Sequence, residues 1–273
     1  MLPRPGYPLR VTESLDTGQP HPARIYDYLL GGKDNFAADR AAAAQGLKVN
    51  PNAATAPQQN RAFLRRAVRF LAAEAGVRQF LDIGTGLPTR PNVHEVAQGI
   101  DPAARIVYAD NDPIVLAHAR ALLTSTPEGR TNYVDADLRD PRRILDAPEL
   151  RATLDLDQPV ALLLLAILHF LEDEAKPYDV VRELMDALPA GSYLVVSHIT
   201  ADHDPESWAR FGELMRRQGI PTRLRSRAEV GGFFDGLEVV EPGVVSLLRW
   251  RPDEPSTFTD AQVALYGGVG RKP

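Results

Sequence analysis

Apolar residues fall along this chain in two rhythms. In the first, short runs end on small or acidic residues. Phe80, Leu81 and Ile83 lead straight into Gly84-Thr85-Gly86, residues 105–110 close on Asp110, and residues 131–135 lead into Asp137. Residues 160–167 are apolar on both faces, as a central parallel strand is, and residues 192–197 form a fifth run. In the second rhythm apolar positions share one face of a 3.6-residue repeat. Residues 58–75 carry Phe63, Ala67 and Leu71 on one side and Arg61, Arg65, Arg66 and Arg69 elsewhere, and read as a helix ending at Gly76. Residues 113–123, 178–188 and 205–218 read likewise, the first with Pro113 in its first turn. Residues 141–154 hold one or two short helices, and 227–234 a further one closed by Gly236. Residues 237–240, 244–248 and 262–269 are β-like with hairpin-type spacing. The alternation predicts an α/β protein of about five parallel strands finished by an antiparallel pair.

The N-terminal part reads differently. Residues 1–20 form an irregular arm, and residues 21–32 a short helix with Pro22 in its first turn and Gly31 at its stop. Ile25, Tyr28 and Leu29 share one face of that helix. Residues 33–36 are a polar turn, residues 39–46 a second helix, and residues 50–57 a linker. Residues 1–57 are therefore an arm and helical lid, and residues 58–273 a ligand-binding α/β domain, the two forming one compact unit.

Composition narrows the function. The 273 residues contain no Cys, which removes disulfides, thiolate metal sites and Cys nucleophiles and fits a reducing compartment. A net charge of −5 with no long basic run argues against a nucleic-acid groove. Residues 1–19 lack the apolar core of a signal peptide, and the longest apolar run, 160–168, is too short to span a bilayer. The expectation is a soluble cytoplasmic protein with neither membrane nor nucleic acid as partner; the oligomeric state is left open. No metal is expected. His203 between Asp202 and Asp204 has the residue types for one, but neighbours on a loop point apart.

Candidate chemistry begins at Gly84-Thr85-Gly86. A strand running directly into Gly-x-Gly makes a turn that lets a ligand approach the backbone. Asp110, at the end of the next strand, can accept both hydroxyls of a ribose. The pattern then leaves the dinucleotide fingerprint: Thr89 stands where the third Gly would be, and Pro88 and Pro91 hinder a helix packed tightly on the turn. Asp82 would set a negative charge beside a diphosphate, whereas it suits a ligand with an ammonium group. Asp82 thus favours S-adenosylmethionine (SAM), whose amino-acid end carries a cationic amine beside a sulfonium. Asp137 can accept from the exocyclic amine of adenine, and the Leu138 amide can donate to a ring nitrogen.

The motifs carry a resemblance. Asp-Ile-Gly-Thr-Gly-Leu-Pro-Thr (82–89), Asn-Val-His-Glu-Val-Ala (92–97), Tyr-Ala-Asp-Asn-Asp-Pro (108–113) and Tyr-Val-Asp-Ala-Asp-Leu (133–138) resemble a bacterial family of SAM-dependent methyltransferases of unassigned substrate. Residues 21–36, His-Pro-Ala-Arg-Ile-Tyr-Asp-Tyr-Leu-Leu-Gly-Gly-Lys-Asp-Asn-Phe, and 266–272, Tyr-Gly-Gly-Val-Gly-Arg-Lys, are similar to that family's two ends. The resemblance covers residues 20–273, and Arg90-Pro91 departs from it. It implies a class I methyltransferase fold: a Rossmann-like, mostly parallel seven-stranded sheet, the last strand antiparallel, helices on both faces and an N-terminal helical lid over the cofactor. It also implies Asp82, Gly84, Gly86, Asp110 and Asp137 as cofactor contacts, with Thr85, Asn111 and Leu138 beside them.

Tyr26, Tyr28, Gly31, Gly32, Lys33, Asp34 and Asn35 make the lid, with Tyr26, Lys33 and Asn35 as its cofactor contacts. Methyl transfer is a direct displacement, so shielding and in-line positioning matter most. A general base is required only for a weak nucleophile such as a hydroxyl. His169, after the fourth strand, is the catalytic candidate, with Tyr26 as a second; His198 follows the fifth strand, and His94 reads as a loop anchor. The leading reading is a SAM-dependent methyltransferase acting on a small-molecule acceptor. The alternatives are a non-catalytic SAM- or nucleotide-binding protein and an NAD-dependent oxidoreductase.

Overall fold

The computed structural model describes residues 17–273, so most of the expected N-terminal arm lies outside the described residues. Five strands, β1 (Gln79–Ile83), β2 (Arg105–Asp110), β3 (Arg130–Asp135), β4 (Ala161–Leu165) and β5 (Tyr193–Ile199), run parallel. Then come β6 (Glu238–Val239), β7 (Val245–Ser246) and β8 (Leu265–Arg271), all antiparallel in their pairings. The order across the sheet is β3-β2-β1-β4-β5-β8-β6, with β7 also paired to β8. The chain moves outward from β1 to β3 and then returns to β4, so the strand order reverses between β1 and β4. The crevice beyond the carboxyl ends at such a point is where open α/β sheets hold ligands.

The helices are α1 (Pro22–Leu29), α2 (Ala37–Val49), α3 (Thr55–Arg69), α4 (Val93–Gln98), α5 (Pro113–Leu122), α6 (Pro141–Leu145), α7 (Pro148–Arg151), α8 (Pro177–Asp186), α9 (Pro205–Arg217), α10 (Arg227–Gly231) and α11 (Asp260–Val263). Their side chains cover the sheet in two apolar layers. Phe80, Ile106 and Leu163 face Phe63, Leu71 and Trp250 on one side. Leu81, Val107 and Leu164 face Ile144, Leu184 and Phe233 on the other. Side chains alternate along a strand, so Asp82 lies on the Phe80 face and Asp110 on the Ile106 face. Both carboxylates are thereby aimed at the α3 side of the sheet.

The structure corrects several expectations. Eight strands are present among the described residues, against seven, because the expected stretches 237–240 and 244–248 pair over only two residues each along the same edge of β8. Glu241-Pro242-Gly243 interrupts them, and Pro has no N–H for a ladder bond. The stretch 262–269 splits: Thr259 caps α11, Ala264 turns left-handed (φ 46°), and the strand begins at Leu265. Residues 50–57 are no open linker, since Pro51–Ala54 form a 3-10 turn and α3 starts at Thr55. The glycines of β8 answer to packing. A Cβ on Gly267 would sit 2.4 Å from Leu247 Cδ2, and one on Gly270 2.8 Å from Phe234 Cδ1.

Residues 21–54 fold onto the carboxyl end of the sheet. Asp39, fully buried, accepts hydrogen bonds from the His21 and Phe36 amides at 2.8 Å each, which closes residues 21–36 into a loop. Ala23 and Phe36 pack on Leu87, Ile114 and Val115. Ile25, Ala42 and Ala43 pack with Met215 and Ile220, so the α1–α2 pair rests on both halves of the sheet's carboxyl edge.

Candidate active site

A cavity of about 330 Å³ lies beyond the carboxyl ends of β1, β2 and β4, roofed by α1 and the start of α3. Its floor is Asp82, Ile83, Gly84, Thr85 and Gly86, with Asp110, Asn111, Asp137, Leu138 and Arg139 at one end. At the other end are Ala166, Ile167, His169 and Phe170, together with Phe211, Met215 and Ile220.

The turn works as its composition suggests. Gly84 (φ 72°) and Gly86 (φ 66°) both lie in the left-handed region. The Gly84 amide donates to Ala109 O at 2.8 Å, tying the turn to β2. A Cβ on Gly84 would meet Ile167 Cγ1 at 2.5 Å, whereas one on Gly86 would enter open space. Gly84→Ala is therefore expected to cost about 1–3 kcal/mol through backbone strain alone, with the Ile167 clash added. Urea unfolding checks this, and Gly84→Ala/Ile167→Ala should recover the clash portion and leave the strain.

Each carboxylate has its own environment. Asp82 is 5% exposed; burial raises its pKa to about 7, with the Arg61 charge and Thr85 pulling the other way. Asp110 Oδ2 accepts from the Gly86 amide and Oδ1 from the Asp112 amide, both at 2.9 Å, and burial raises its pKa as well. One lone pair remains on each Asp110 oxygen for a ligand. Asp137 is half-exposed and saturated. Oδ1 takes the Arg139 amide and Nε, while Oδ2 takes Arg139 Nη2 and Asn111 Nδ2. Those bonds to Arg139 lower its pKa to about 2. The neighbouring Leu138 amide has no hydrogen-bond partner among the described residues.

A chain of hydrogen bonds fastens α1 to the sheet. The Tyr26 hydroxyl donates to Pro57 O (3.1 Å) and accepts from Asn60 Nδ2 (3.0 Å). Asn60 Oδ1 accepts from the Ser197 hydroxyl (2.6 Å), whose oxygen accepts from the Ala166 amide (2.9 Å). Ala166 sits at φ 52°, a left-handed conformation for a residue with a Cβ, of the kind that concentrates at functional sites. Burial raises the Tyr26 pKa, so its phenol keeps the proton it gives to Pro57. That disfavours the expected catalytic role and makes Tyr26 a fastener of α1.

Beyond β4, His169 forms part of the cavity wall. Burial and then the Arg225 charge lower its pKa to about 3. Arg225 is fully buried and donates to His198 Nε2 (3.0 Å), to Leu168 O and Leu171 O, and to Asp173 Oδ1. A guanidinium can only donate, so His198 is neutral with its proton on Nδ1, which donates to Ile199 O at 2.7 Å. His198 is thereby spent on the wall.

Two expected cofactor residues do not line the cavity. Lys33 points into solvent. Asn35 is buried but donates to Asp27 Oδ2 and Gly32 O, so it shapes the Gly31-Gly32 turn instead. Tyr28 and Asp34 also lie off the cavity. His94 and Tyr108 bond reciprocally, the His94 amide donating to the phenol oxygen at 2.9 Å and Nδ1 lying 2.8 Å from it. Arg90, 87% exposed, reaches Glu95 at 3.3 Å and leaves the ligand side open. Arg61 went unrecognised in the sequence: it lines the cavity beside Asp82 and bonds Thr89 O and Pro91 O.

Comparison with known proteins identifies the family. The model of the S-adenosyl methyltransferase family matches residues 9–273. A DUF574 family protein from Streptomyces avermitilis is 51% identical, with a TM-score of 0.93 over 95% of this chain and 100% of its own. The chain belongs to the S-adenosyl methyltransferase family. A candidate methyltransferase from Thermobifida fusca is 42% identical, with a TM-score of 0.88 over 97% of this chain and 99% of its own. An O-methyltransferase family protein from Burkholderia thailandensis, 16% identical with a TM-score of 0.55 over 81% of this chain and 58% of its own, shares the fold. A comparison with curated proteins gives no match. As a member of the S-adenosyl methyltransferase family, the chain is a SAM-dependent methyltransferase with a class I fold. Among the described residues no helix is long and apolar enough to cross a membrane, and no group of His, Asp and Glu is arranged to hold a metal ion.

Proposed function

We propose that SAM lies along the carboxyl ends of β1, β2 and β3 and that its methyl group passes to a small-molecule acceptor held against β4 and β5. The observation that carries this reading is that Asp82, Asp110 and Asp137, from three successive strand ends, line one cavity with the Gly84-Thr85-Gly86 turn. The donor set fits the ligand. Asp82 suits the amine, Arg61 the carboxylate, and the free lone pairs of Asp110 the ribose hydroxyls. Leu138 has an amide ready for a ring nitrogen of adenine, while Asp137 can accept the exocyclic amine only by releasing Asn111 or Arg139. Bound SAM supplies a methyl group on a positively charged sulfur, open to direct displacement.

The chain's own part is to orient the partners and keep water out. Residues 1–57 act in this reading as arm and lid, and residues 58–273 as the domain beneath. Calorimetry tests the assignment: SAM and S-adenosylhomocysteine should bind and NAD should not, whereas NAD binding alone would overturn it. Tyr26→Phe tests the lid. It leaves Asn60 Nδ2 and Pro57 O without their partner, and SAM affinity should fall about tenfold, or about 1.4 kcal/mol. Unchanged affinity and unchanged turnover would reduce α1 to a packing helix.

A further inference from the structure

We propose that the acceptor subsite, bounded by α1, α9 and the loops after β4 and β5, takes an uncharged apolar small molecule bearing a hydroxyl group, and that this hydroxyl is held by the imidazole of His169. The inference rests on SAM occupying the β1–β3 end of the cavity, as proposed above.

The lining of this half is apolar. Ile25, Leu29, Phe170, Phe211, Met215 and Ile220 form the walls past Ala166. These are broad aliphatic and aromatic surfaces, which favour an apolar occupant. Charge is placed at the other half. The charged side chains on the cavity are Asp27, Arg61, Asp82, Asp110, Asp137 and Arg139. The last four belong to the loops after β1, β2 and β3 or to β1 and β2 themselves, and Arg61 stands beside Asp82. Asp27 is turned away from the acceptor half: Oδ2 accepts from the Asp34 amide and Asn35 Nδ2 at 3.0 and 2.8 Å, and Oδ1 packs on Gly32, where a Cβ would collide with it, so the carboxylate faces the Gly31-Gly32 turn, which lies off the cavity. A carboxylate or ammonium group in the acceptor half would lose its water and gain no opposite charge.

His169 is a polar group of the wall that stands without a partner among the described residues. It is 8% exposed, its Nδ1 is buried, and neither ring nitrogen has a hydrogen-bond partner among the described residues. Its neighbours are committed elsewhere. The His198 ring, 5.6 Å away centroid to centroid, bonds Arg225 and Ile199 O, and Phe170 covers His169 at 4.2 Å. Buried polar groups in folded proteins nearly always have a partner, so an orphaned imidazole on a cavity wall marks where a ligand group belongs. Burial and then the Arg225 charge keep the ring uncharged at neutral pH, so it can accept a hydrogen bond from a neutral hydroxyl. A hydroxyl that donates its proton to His169 keeps its oxygen lone pairs free for the methyl group. A primary amine, protonated at neutral pH, would find no carboxylate to hold it.

The test uses the full chain loaded with S-adenosylhomocysteine, and p-cresol, 4-hydroxybenzoate, tyramine and toluene as probes by calorimetry. p-Cresol should bind at least about tenfold tighter than 4-hydroxybenzoate or tyramine, and about tenfold tighter than toluene. His169→Phe should erase the preference for p-cresol over toluene, and His169→Gln, which keeps an acceptor, should restore part of it. Charged probes binding as well as p-cresol, failure of p-cresol to bind, or a cresol preference that survives in His169→Phe each overturns the inference. If S-adenosylhomocysteine itself does not bind, the cofactor reading falls and takes this inference with it. If it binds, these outcomes bear on the acceptor subsite alone.

Discussion

Asp82→Asn is expected to weaken SAM binding strongly and, above neutral pH, to make the ligand-free protein more stable. Both effects follow from one buried carboxylate whose pKa stands near 7 because burial disfavours its charge. In the unfolded chain the same group titrates near 4, so between pH 4 and 7 the folded state holds the extra proton. Stability contributed by this group therefore falls as pH rises through that window, and the full penalty is present above it. At about 1.4 kcal/mol per pH unit, removing the charge should recover up to a few kcal/mol at pH 8 and almost nothing at pH 4. Thermal melts of the two proteins at both pH values check this.

Binding runs the opposite way. The ligand's ammonium needs the ionised form, so wild-type SAM affinity should climb from pH 5 and level off above 7. Asp82→Asn should be flat and weaker by about 2–5 kcal/mol, the usual loss when one partner of a buried charged pair is removed. A wild-type affinity independent of pH from 5 to 8 would take Asp82 away from the amine.

Asp110→Ala has a comparable expected effect by another route. Each Asp110 oxygen already holds a backbone amide, from Gly86 and Asp112, and offers its second lone pair outward. Losing two charge-assisted bonds to the ribose, each worth about 1.5–3 kcal/mol, should weaken SAM about 100-fold or more. The Gly86 and Asp112 amides lose their acceptor as well. Asp112 in turn accepts from Arg24 Nε at 3.0 Å and caps α5, so α1 should loosen along with the turn. Proteolysis or hydrogen exchange over residues 21–36 would record that loosening. SAM affinity within a few-fold of wild type would sink the ribose assignment.

Much of this was legible in the sequence because the chemistry sits where two periodicities meet. A strand that ends in Gly-x-Gly or in an acid marks the carboxyl edge of a parallel sheet, and Asp82, Asp110 and Asp137 could be placed without coordinates. What escaped depended on which way a helix face turns. Arg61 reads as one of four arginines set off the apolar side of the 58–75 helix, yet α3 lies across the crevice and turns Arg61 toward Asp82. Asn60 and Ser197, 137 positions apart, meet only because β5 lies next to β4 under α3. Lys33 and Asn35 misled for the reverse reason: they sit in a motif whose Gly31-Gly32 turn folds back on Asp27 and carries them off the cavity. The two short pairings on β8 were unreadable because apolar residues alone do not tell a two-residue bridge from a full strand.

In the proposed arrangement the first helix is a wall for both ligands, with Ala23 over the turn and Ile25 and Leu29 toward the far end of the cavity. In that arrangement, loading, escape of the spent nucleoside and dryness of the reaction all depend on the same helix. A substitution that speeds departure of product must also let solvent reach the sulfonium sooner, so variants selected for faster cycling should waste more of their donor.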